Sequence, residues 1–217
     1  MQPRHFVFDA YGTLFDVHAA VRRHAEAIGP DAAAFSALWR QRQLEYTWVR
    51  SLSGAYRDFR ALTVEALDFA FASFPSVDRA LKPRLLDAYR TLEAYPEVAA
   101  TLTQLKASGA VLAILSNGTR AMLDEAVAAA GLARFFDAIF SVDARGLYKT
   151  LPAAYRLVSD HYGIAPADVS FQSSNRWDIA GARAFGFRCV WINRSGAPDE
   201  YADLAPDRVI SDLSGLR

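Results

Sequence analysis

"HFVFDAYGTLFDV", residues 5–17, runs from a short apolar segment to a single carboxylate at Asp9, and Gly12 and Thr13 follow. The apolar segment 5–8 is typical of a buried β-strand. In an open α/β sheet, ligands bind beyond the carboxyl ends of the strands, and this is where such a strand would deliver Asp9. The stretch therefore predicts a first strand that carries a candidate functional carboxylate at its tip.

Further apolar segments alternate with helical patterns along the rest of the chain. The patterns at 96–107, around 120–131 and at 152–162 have helical spacing. Strands that alternate with helices predict a parallel sheet covered on both faces. The predicted strands are 5–10, 110–117, 136–143, 169–175, 188–194 and 207–212.

The section between the first two strands, residues 17–95, carries helical spacing and no strand signal. Examples are "AAFSALWRQRQLEYTWVR" (33–50) and "LTVEALDFAFASF" (62–74). A gap of this length predicts an inserted helical cap. Because the insert would leave and return near the end of the first strand, it could cover a site built there.

The composition limits the classes of function. A chain of 217 residues can form one large domain, or a core with an insert. Its 24 basic and 24 acidic residues cancel, so no basic surface for nucleic acid or an anionic membrane is expected. No transmembrane span is predicted, because the longest apolar stretches are short and broken by polar residues, and no secretory signal is predicted, because Asp9 interrupts the first apolar run. The single cysteine, Cys189, cannot form an internal disulfide, which suits a cytoplasmic protein.

Polar side chains follow several of the predicted strands at their carboxyl ends. Each one alone has an ordinary explanation, such as a helix cap, a turn or a solvated lysine. Their convergence at successive strand ends favours a site. The residues concerned are Asp9, Ser116, Asn117, Lys149, Ser173, Ser174, Asn175 and Asp178.

These side chains, with Gly12 and Thr13, form a pattern that resembles the haloacid dehalogenase superfamily. The resemblance is greatest to its L-2-haloacid dehalogenase branch and extends from about residue 5 to residue 194. The segments that carry it are "FDAYGTLFDV" (8–17), "LWRQRQLEYTWVRSLSG" (38–54), "LSNG" (115–118), "SVDARGLYK" (141–149) and "SSNRWDIAGARAFGF" (173–187).

The resemblance implies an α/β fold with a Rossmann-like three-layer core around a parallel sheet, plus a helical cap domain inserted after the first strand. Residues 1–14 and 96–217 would form the catalytic core, and residues 15–95 would form the cap. A homodimer is also implied. The substrate would be a short 2-haloacid, with halide as a product.

Phosphatases of the superfamily carry a second aspartate two residues after the nucleophile, which protonates the leaving alcohol and helps to bind Mg²⁺. This chain has Tyr11 there, and a phenol is not an acid of suitable pKa near neutrality. Asn175 stands where a phosphatase usually offers an acid, which weakens a Mg²⁺ site further. A departing halide needs no proton, so the missing aspartate is what a dehalogenase would show. No metal or other cofactor is expected.

The resemblance assigns a role to each reacting group. Asp9 would attack C2 of an L-2-haloalkanoic acid, and water would hydrolyse the ester to a D-2-hydroxy acid. Lys149 would keep Asp9 ionised, and Thr13 would orient it. Asp178 would activate the water. Ser173 and Asn175 would shape this network, and Tyr155 would bond near Lys149.

The resemblance also outlines a substrate pocket. Ser116 would bind the substrate carboxylate, assisted by Asn117. Arg40 would supply positive charge for the halide, with Asn175 and Phe59 beside it. The pocket lining would comprise Tyr11, Gln41, Leu44 and Trp177.

Three departures and three alternatives accompany this interpretation. Thr150 replaces a proline after Lys149, Arg60 replaces an aromatic residue, and Gln172 lies inside an apolar strand.

One alternative is a Mg²⁺-dependent phosphatase of the same superfamily. Another is a catalytically silent binding protein. The third is a hydrolase that opens a small strained ring bearing a carboxylate.

Overall fold

A computed structural model describes residues 4–216 of the chain. Its centre is a six-stranded sheet in which every neighbouring pair is parallel. The strand order is β3-β2-β1-β4-β5-β6, so the direction of winding reverses between β1 and β4. The strands are β1 (His5–Phe8), β2 (Val111–Ser116), β3 (Ala138–Ser141), β4 (Val169–Ser173), β5 (Arg188–Ile192) and β6 (Arg208–Ile210).

All six predicted strands are confirmed, but each is shorter than its apolar segment. The ladder of β1 stops at Phe8, and the chain then turns. β4 likewise stops at Ser173, before Asn175. After β1, β2 and β3 the predicted segment runs on into a turn because the next residues, such as Ala10, Asn117 and Val142, are buried too, and burial alone does not distinguish a strand from a tight loop.

Helices link the strands and cover the sheet. They are α6 (Val98–Ala107), α7 (Arg120–Ala129), α8 (Pro152–Tyr162) and α9 (Arg176–Phe185). Because connections between parallel strands are right-handed, the reversal of strand order places these helices on opposite faces of the sheet. The fold is therefore a doubly wound α/β sheet, as predicted.

Most of the remaining helices come between β1 and β2, and no strand is assigned between residues 19 and 90. The longest of them, Ala32–Ser53, is followed by Gly54, whose φ of +67° favours glycine. The carboxylate of Asp58 caps the next helix, Phe59–Ser73, by accepting a hydrogen bond from the backbone N–H of Ala61 at 2.9 Å. The helices are α1 (Ala19–Arg22), α2 (Ala25–Ile28), α3 (Ala32–Ser53), α4 (Phe59–Ser73) and α5 (Lys82–Arg90).

The two ends of this helical segment lie side by side. The backbone N–H of Asp16 donates to the carbonyl of Glu93 at 3.0 Å, and that of Tyr95 donates to the carbonyl of Leu14 at 3.0 Å. The chain therefore leaves and returns at one place, close to the tip of β1. No helix among residues 4–216 is long and apolar enough to cross a membrane.

Gln172, in the middle of β4, is fully buried. Its amide nitrogen donates to the hydroxyl of Ser170 at 2.6 Å, whereas its amide oxygen has no hydrogen-bond partner in the part of the chain described. The structure thus shows a partner for the amide nitrogen of Gln172 but does not explain its buried amide oxygen. Thr150 is exposed directly after the buried Lys149.

Candidate active site

Asp9 lies at the carboxyl end of β1, next to β4, at the point where the winding of the sheet reverses. Its side chain is almost fully buried. Oδ2 accepts hydrogen bonds from Asn175 Nδ2 at 2.8 Å and from Thr13 Oγ1 at 3.1 Å, whereas Oδ1 accepts one from Lys149 Nζ at 3.1 Å. A carboxylate oxygen has two lone pairs, so Oδ1 keeps one that these contacts leave free.

Lys149 is fully buried between two carboxylates. Its Nζ lies 3.1 Å from Asp9 Oδ1 and 2.8 Å from Asp178 Oδ2. Burial alone would lower the pKa of Lys149, but the negative charges of Asp178 and Asp9 outweigh it, and the net effect raises the pKa above its ordinary value. Lys149 is therefore an ammonium ion at neutral pH.

Asp178 occupies the first turn of α9 and is fully buried. Besides Lys149, it binds the hydroxyl of Tyr155, which donates to Asp178 Oδ1 at 2.8 Å. Burial raises the pKa of Asp178 to about 6, although the charge of Lys149 acts in the opposite direction. Burial raises the pKa of Tyr155 well above its ordinary value, so its hydroxyl remains a donor. Asp178 can therefore accept a proton near neutral pH.

The turns after β1 and β4 are joined through hydroxyl groups. Thr13 Oγ1 donates to Asp9 and accepts from the backbone N–H of Ser174 at 2.8 Å. Ser173 Oγ accepts from the backbone N–H of Asn175 at 3.1 Å. These bonds fix the Asn175 amide and the Asp9 carboxylate relative to each other, so the nucleophile has little rotational freedom.

Ser116 and Asn117 lie at the end of β2, both buried. Asn117 Oδ1 accepts from the backbone N–H of Lys149 at 3.0 Å, which anchors the segment that carries the lysine. Asn117 Nδ2 is buried and has no hydrogen-bond partner among the described residues. Ser116 Oγ accepts from the backbone N–H of Gly118 at 3.2 Å. The unmatched amide donor can serve an anionic ligand.

Arg40 reaches the site from α3. Its Nη2 donates to the backbone carbonyl of Tyr11 at 3.2 Å, and Asn175 Nδ2 donates to the same oxygen at 3.3 Å. Arg40 forms no ion pair with the carboxylates of residues 4–216, so its charge is available to a bound anion. The described contacts thus bring Arg40 together with Asp9 through Tyr11 and Asn175.

Tyr11 has a buried ring that stacks on Tyr89 with 5.5 Å between the ring centroids, and its ring centroid lies 5.8 Å from that of Phe59. Burial raises the pKa of Tyr11 well above its ordinary value. The phenol is therefore a still weaker acid than an exposed tyrosine, which strengthens the contrast with a phosphatase aspartate.

The structure does not bring every predicted pocket residue to this network. Gln41 is exposed on α3, and Leu44 is half-buried. Trp177 is half-buried and packs edge-to-face on Trp48, with 5.7 Å between the ring centroids. None of the three makes a hydrogen bond from its side chain to Asp9 or to the residues that bind Asp9.

Sequence reasoning missed Gln43. This residue is buried on α3, and its Oε1 accepts from Arg40 Nη1 at 2.8 Å. Its position three residues after Arg40 places both on one face of the helix, and this spacing was the available signal.

Mg²⁺ does not fit the groups at this site. The ammonium of Lys149 lies between the carboxylates of Asp9 and Asp178, and two nitrogen donors already take the carbonyl of Tyr11. A divalent cation would meet positive charge where it needs oxygen ligands. No group of three or more His, Cys, Asp and Glu side chains that could hold a metal occurs within residues 4–216.

Comparison with known proteins identifies the family. The family model described as haloacid dehalogenase-like hydrolase matches residues 3–186. The chain is 53% identical over 212 residues to (S)-2-haloacid dehalogenase 1 of Pseudomonas sp. (strain CBS-3), covering 97% of this chain and 93% of that protein. It is 49% identical over 211 residues to (S)-2-haloacid dehalogenase 4A of Burkholderia cepacia, covering 97% and 91%.

Solved structures agree with these relatives. A dehalogenase with an intermediate complex superposes with a TM-score of 0.97 at 48% identity, covering 99% of this chain and 96% of that one. The L-2-haloacid dehalogenase of Xanthobacter autotrophicus with chloropropionic acid covalently bound gives a TM-score of 0.87 at 36% identity, covering 99% and 97%. The sheet, the buried carboxylate network and these matches have one explanation: the chain belongs to the haloacid dehalogenase-like hydrolase family.

Proposed function

We propose that this protein is an (S)-2-haloacid dehalogenase that hydrolyses short L-2-haloalkanoic acids to D-2-hydroxy acids. The observation that carries the proposal is Asp9, a buried carboxylate held by Lys149, Thr13 and Asn175, with a buried phenol instead of an acid two residues later. Relatives with this named activity are up to 53% identical along nearly the whole chain. A phosphatase or a ring-opening hydrolase is not favoured by these relatives.

The first step is displacement at carbon. Asp9 attacks C2 of the substrate from the face opposite the halogen, through the oxygen that keeps a free lone pair. A C–O bond forms while the carbon–halogen bond breaks, and the halide leaves with the bonding electrons. The configuration at C2 inverts, and the product is an ester between Asp9 and the 2-carbon of the acid.

The second step is hydrolysis of this ester. Asp178 accepts a proton from a water molecule, and the resulting hydroxide attacks the carbonyl carbon of the Asp9 ester. The bond between that carbon and the former Asp9 oxygen now attached to C2 then breaks, and the proton held by Asp178 passes to this departing oxygen. Asp9 is regenerated with one oxygen from water, and it releases the remaining proton to solvent.

Two groups of residues bind the anionic parts of the substrate. Ser116 and Asn117 bind the carboxylate, which supplies an acceptor for the unmatched amide nitrogen of Asn117. Arg40, Asn175 and Phe59 surround the departing halide, and the charge of Arg40 is not cancelled by a carboxylate among the described residues. The remaining pocket residues are proposed to be Tyr11, Gln41, Leu44 and Trp177.

We also propose that residues 15–95 form a cap domain over a core made of residues 1–14 and 96–217. The hydrogen bonds that join the two ends of the helical segment near Leu14 and Tyr95 support this boundary, and Arg40 connects the segment to the site. Limited proteolysis tests it: cleavage should begin near these two connections. Early cleavage inside the sheet would contradict the boundary.

A homodimer and a cytoplasmic location are proposed as well. Exposed Trp48, Leu52 and Tyr201 line an open apolar groove of about 480 Å³, which supports association between copies. The free thiol of the buried Cys189 suits a reducing compartment. Light scattering tests the homodimer, and a monomer would contradict it. Cell fractionation tests the location, and a periplasmic protein would contradict it.

The activity is tested with both enantiomers of 2-chloropropionate in the presence of EDTA, beside p-nitrophenyl phosphate with Mg²⁺. We expect chloride release from the L enantiomer alone, with D-lactate as the product. Phosphate release without chloride release would replace the proposal with a phosphatase. Absence of both reactions would favour ring opening or a non-catalytic role.

A further inference from the structure

We propose that Gln43 is a positioning residue that holds the guanidinium of Arg40 over the site while leaving its positive charge unpaired. This inference rests on the proposed function, in which Arg40 binds the departing halide. Gln43 does not contact Asp9. It acts through Arg40, and its effect is therefore expected on halide binding and on the step in which the halide departs.

The geometry begins on one face of α3. Gln43 is 1% exposed, and it follows Arg40 by three residues. Its Oε1 accepts from Arg40 Nη1 at 2.8 Å, and the other terminal nitrogen of Arg40 donates to the carbonyl of Tyr11 at 3.2 Å. Two acceptors on different elements thus define where the planar guanidinium lies.

The orientation of the Gln43 amide is fixed by its other partners. Thr63 Oγ1 donates its only proton to the carbonyl of Phe59 at 2.7 Å. It must therefore accept from Gln43, and the Gln43 nitrogen lies 2.7 Å away. The amide oxygen consequently points to Arg40. The hydroxyl of Tyr89, 3.1 Å from the same nitrogen, completes the cluster.

This cluster ties three helices to the guanidinium. Gln43 belongs to α3, Thr63 to α4 and Tyr89 to α5, and the carbonyl of Phe59 ends the chain of hydrogen bonds. Phe59 is the aromatic residue proposed to lie beside the halide. The buried amide of Gln43 therefore connects Arg40 with Phe59, the two residues of the helical segment that are proposed to lie beside the halide.

The chemical identity of Gln43 matters because both acceptors of Arg40 are neutral. A glutamate at position 43 could accept the same hydrogen bond, but its charge would pair with Arg40 and oppose a bound halide. The neutral amide of glutamine orients the guanidinium of Arg40 without adding a negative charge. The site thus uses glutamine where an acid would give a stronger contact with Arg40 and a weaker contact with the anion.

The experiment compares Gln43→Glu, which adds charge, with Gln43→Met, which removes the hydrogen bonds at similar volume. Gln104→Glu is the control, because it makes the same change at an exposed position of α6. Bromide inhibition of L-2-chloropropionate turnover is measured for each protein, together with chloride binding by NMR line broadening and the melting temperature.

We expect Gln43→Glu to weaken bromide inhibition and chloride binding by about tenfold or more. Gln43→Met should lower kcat and weaken halide binding less than Gln43→Glu does, and Gln104→Glu should match the parent. Unchanged bromide inhibition in a folded Gln43→Glu protein would overturn the inference. Equal weakening in both Gln43 variants would also overturn it, because the charge would then be irrelevant. A parent protein that releases no halide would instead refute the proposed function, while chloride binding would still test Gln43.

Discussion

Nζ of Lys149 lies 3.1 Å from Oδ1 of Asp9, and both side chains are buried. The two groups come from distant parts of the chain, since 140 positions separate them. In a low-dielectric interior this contact places the ammonium of Lys149 against the carboxylate that is proposed to attack carbon. The same lysine also holds the carboxylate that is proposed to activate water, so one ammonium supports both steps of the reaction.

Replacing the lysine should damage stability as well as activity. Lys149→Met leaves Asp9 and Asp178 buried without their counter-ion, and we expect the free energy of unfolding to fall by about 3–5 kcal/mol at pH 8. Urea unfolding measures the change.

The pH dependence of that variant distinguishes charge from packing. Without Lys149, the folded-state pKa of Asp178 would lie further above its unfolded value than in the parent, because burial raises it and the opposing charge is lost, so the folded state would bind more protons. The difference in free energy of unfolding between the parent and Lys149→Met should therefore become smaller as the pH falls from 8 to 5. A deficit that stays constant over this range would show that lost packing is responsible.

Turnover should have an acidic limb set by Asp178. Because the pKa of this buried carboxyl is raised to about 6, Asp178 is ionised above that pH and protonated below it. The protonated form cannot accept a proton from water, so kcat should fall about tenfold for each pH unit below 6. A pH profile of hydroxy acid formation measures the limb. Activity that stays level down to pH 4 would exclude Asp178 as the base.

Tyr155→Phe should shift this limb upward. The Tyr155 hydroxyl donates to Asp178 Oδ1 and stabilises the ionised carboxylate, so its loss raises the pKa of Asp178. The limb should move to higher pH, with little change in kcat on the alkaline plateau. A matched change at the more exposed Tyr201, Tyr201→Phe, should leave the profile unchanged. A uniform loss of kcat without a shifted profile would assign Tyr155 a structural role only.

Gly181 is required for the close approach of Tyr155 to α9. A Cβ atom at Gly181 would lie 2.5 Å from the Tyr155 hydroxyl and 2.7 Å from Thr150 Cβ. Gly181→Ala should therefore push Tyr155 away from Asp178, reduce kcat and cost about 1–3 kcal/mol of stability. Kinetics and thermal unfolding measure both effects. Full activity with the parent pH profile would mean that the helix shifts without disturbing the pair.

The sheet could be predicted because its signal is local. Each strand is a short apolar segment bounded by polar or turn residues, and parallel strands buried on both faces need no other pattern. The strand ends could not be predicted closely, because buried loop residues such as Tyr11 and Phe15 are as apolar as the strands. The backbone groups of Phe15 bond within the turn, and the carbonyl of Tyr11 accepts from the side chains of Arg40 and Asn175 instead of from a neighbouring strand.

The sequence indicated which polar residues would meet at the strand ends, but not which contacts they make. Polar residues at strand ends identified Asp9, Lys149 and Asp178, since the topology of a parallel sheet brings these ends together. The sequence could not indicate that Lys149 binds both carboxylates, because this depends on side-chain reach across the fold.

The residues near Arg40 illustrate a second limit. The resemblance suggested Gln41, but a helix turns by about 100° per residue, and the structure leaves Gln41 exposed. Gln43 shares a face with Arg40 and is buried. Helical spacing indicates the glutamine that contacts Arg40, whereas the resemblance indicates Gln41 for the pocket, which stays a prediction.

Nucleophilic attack by Asp9 is tested most sharply by a single turnover of excess enzyme with L-2-chloropropionate in water enriched in oxygen-18. We expect unlabelled D-lactate, because its new oxygen comes from Asp9, and labelled Asp9 in the peptide that contains it. Labelled D-lactate together with unlabelled Asp9 would show that water attacks C2 directly, and Asp9 would not be the nucleophile.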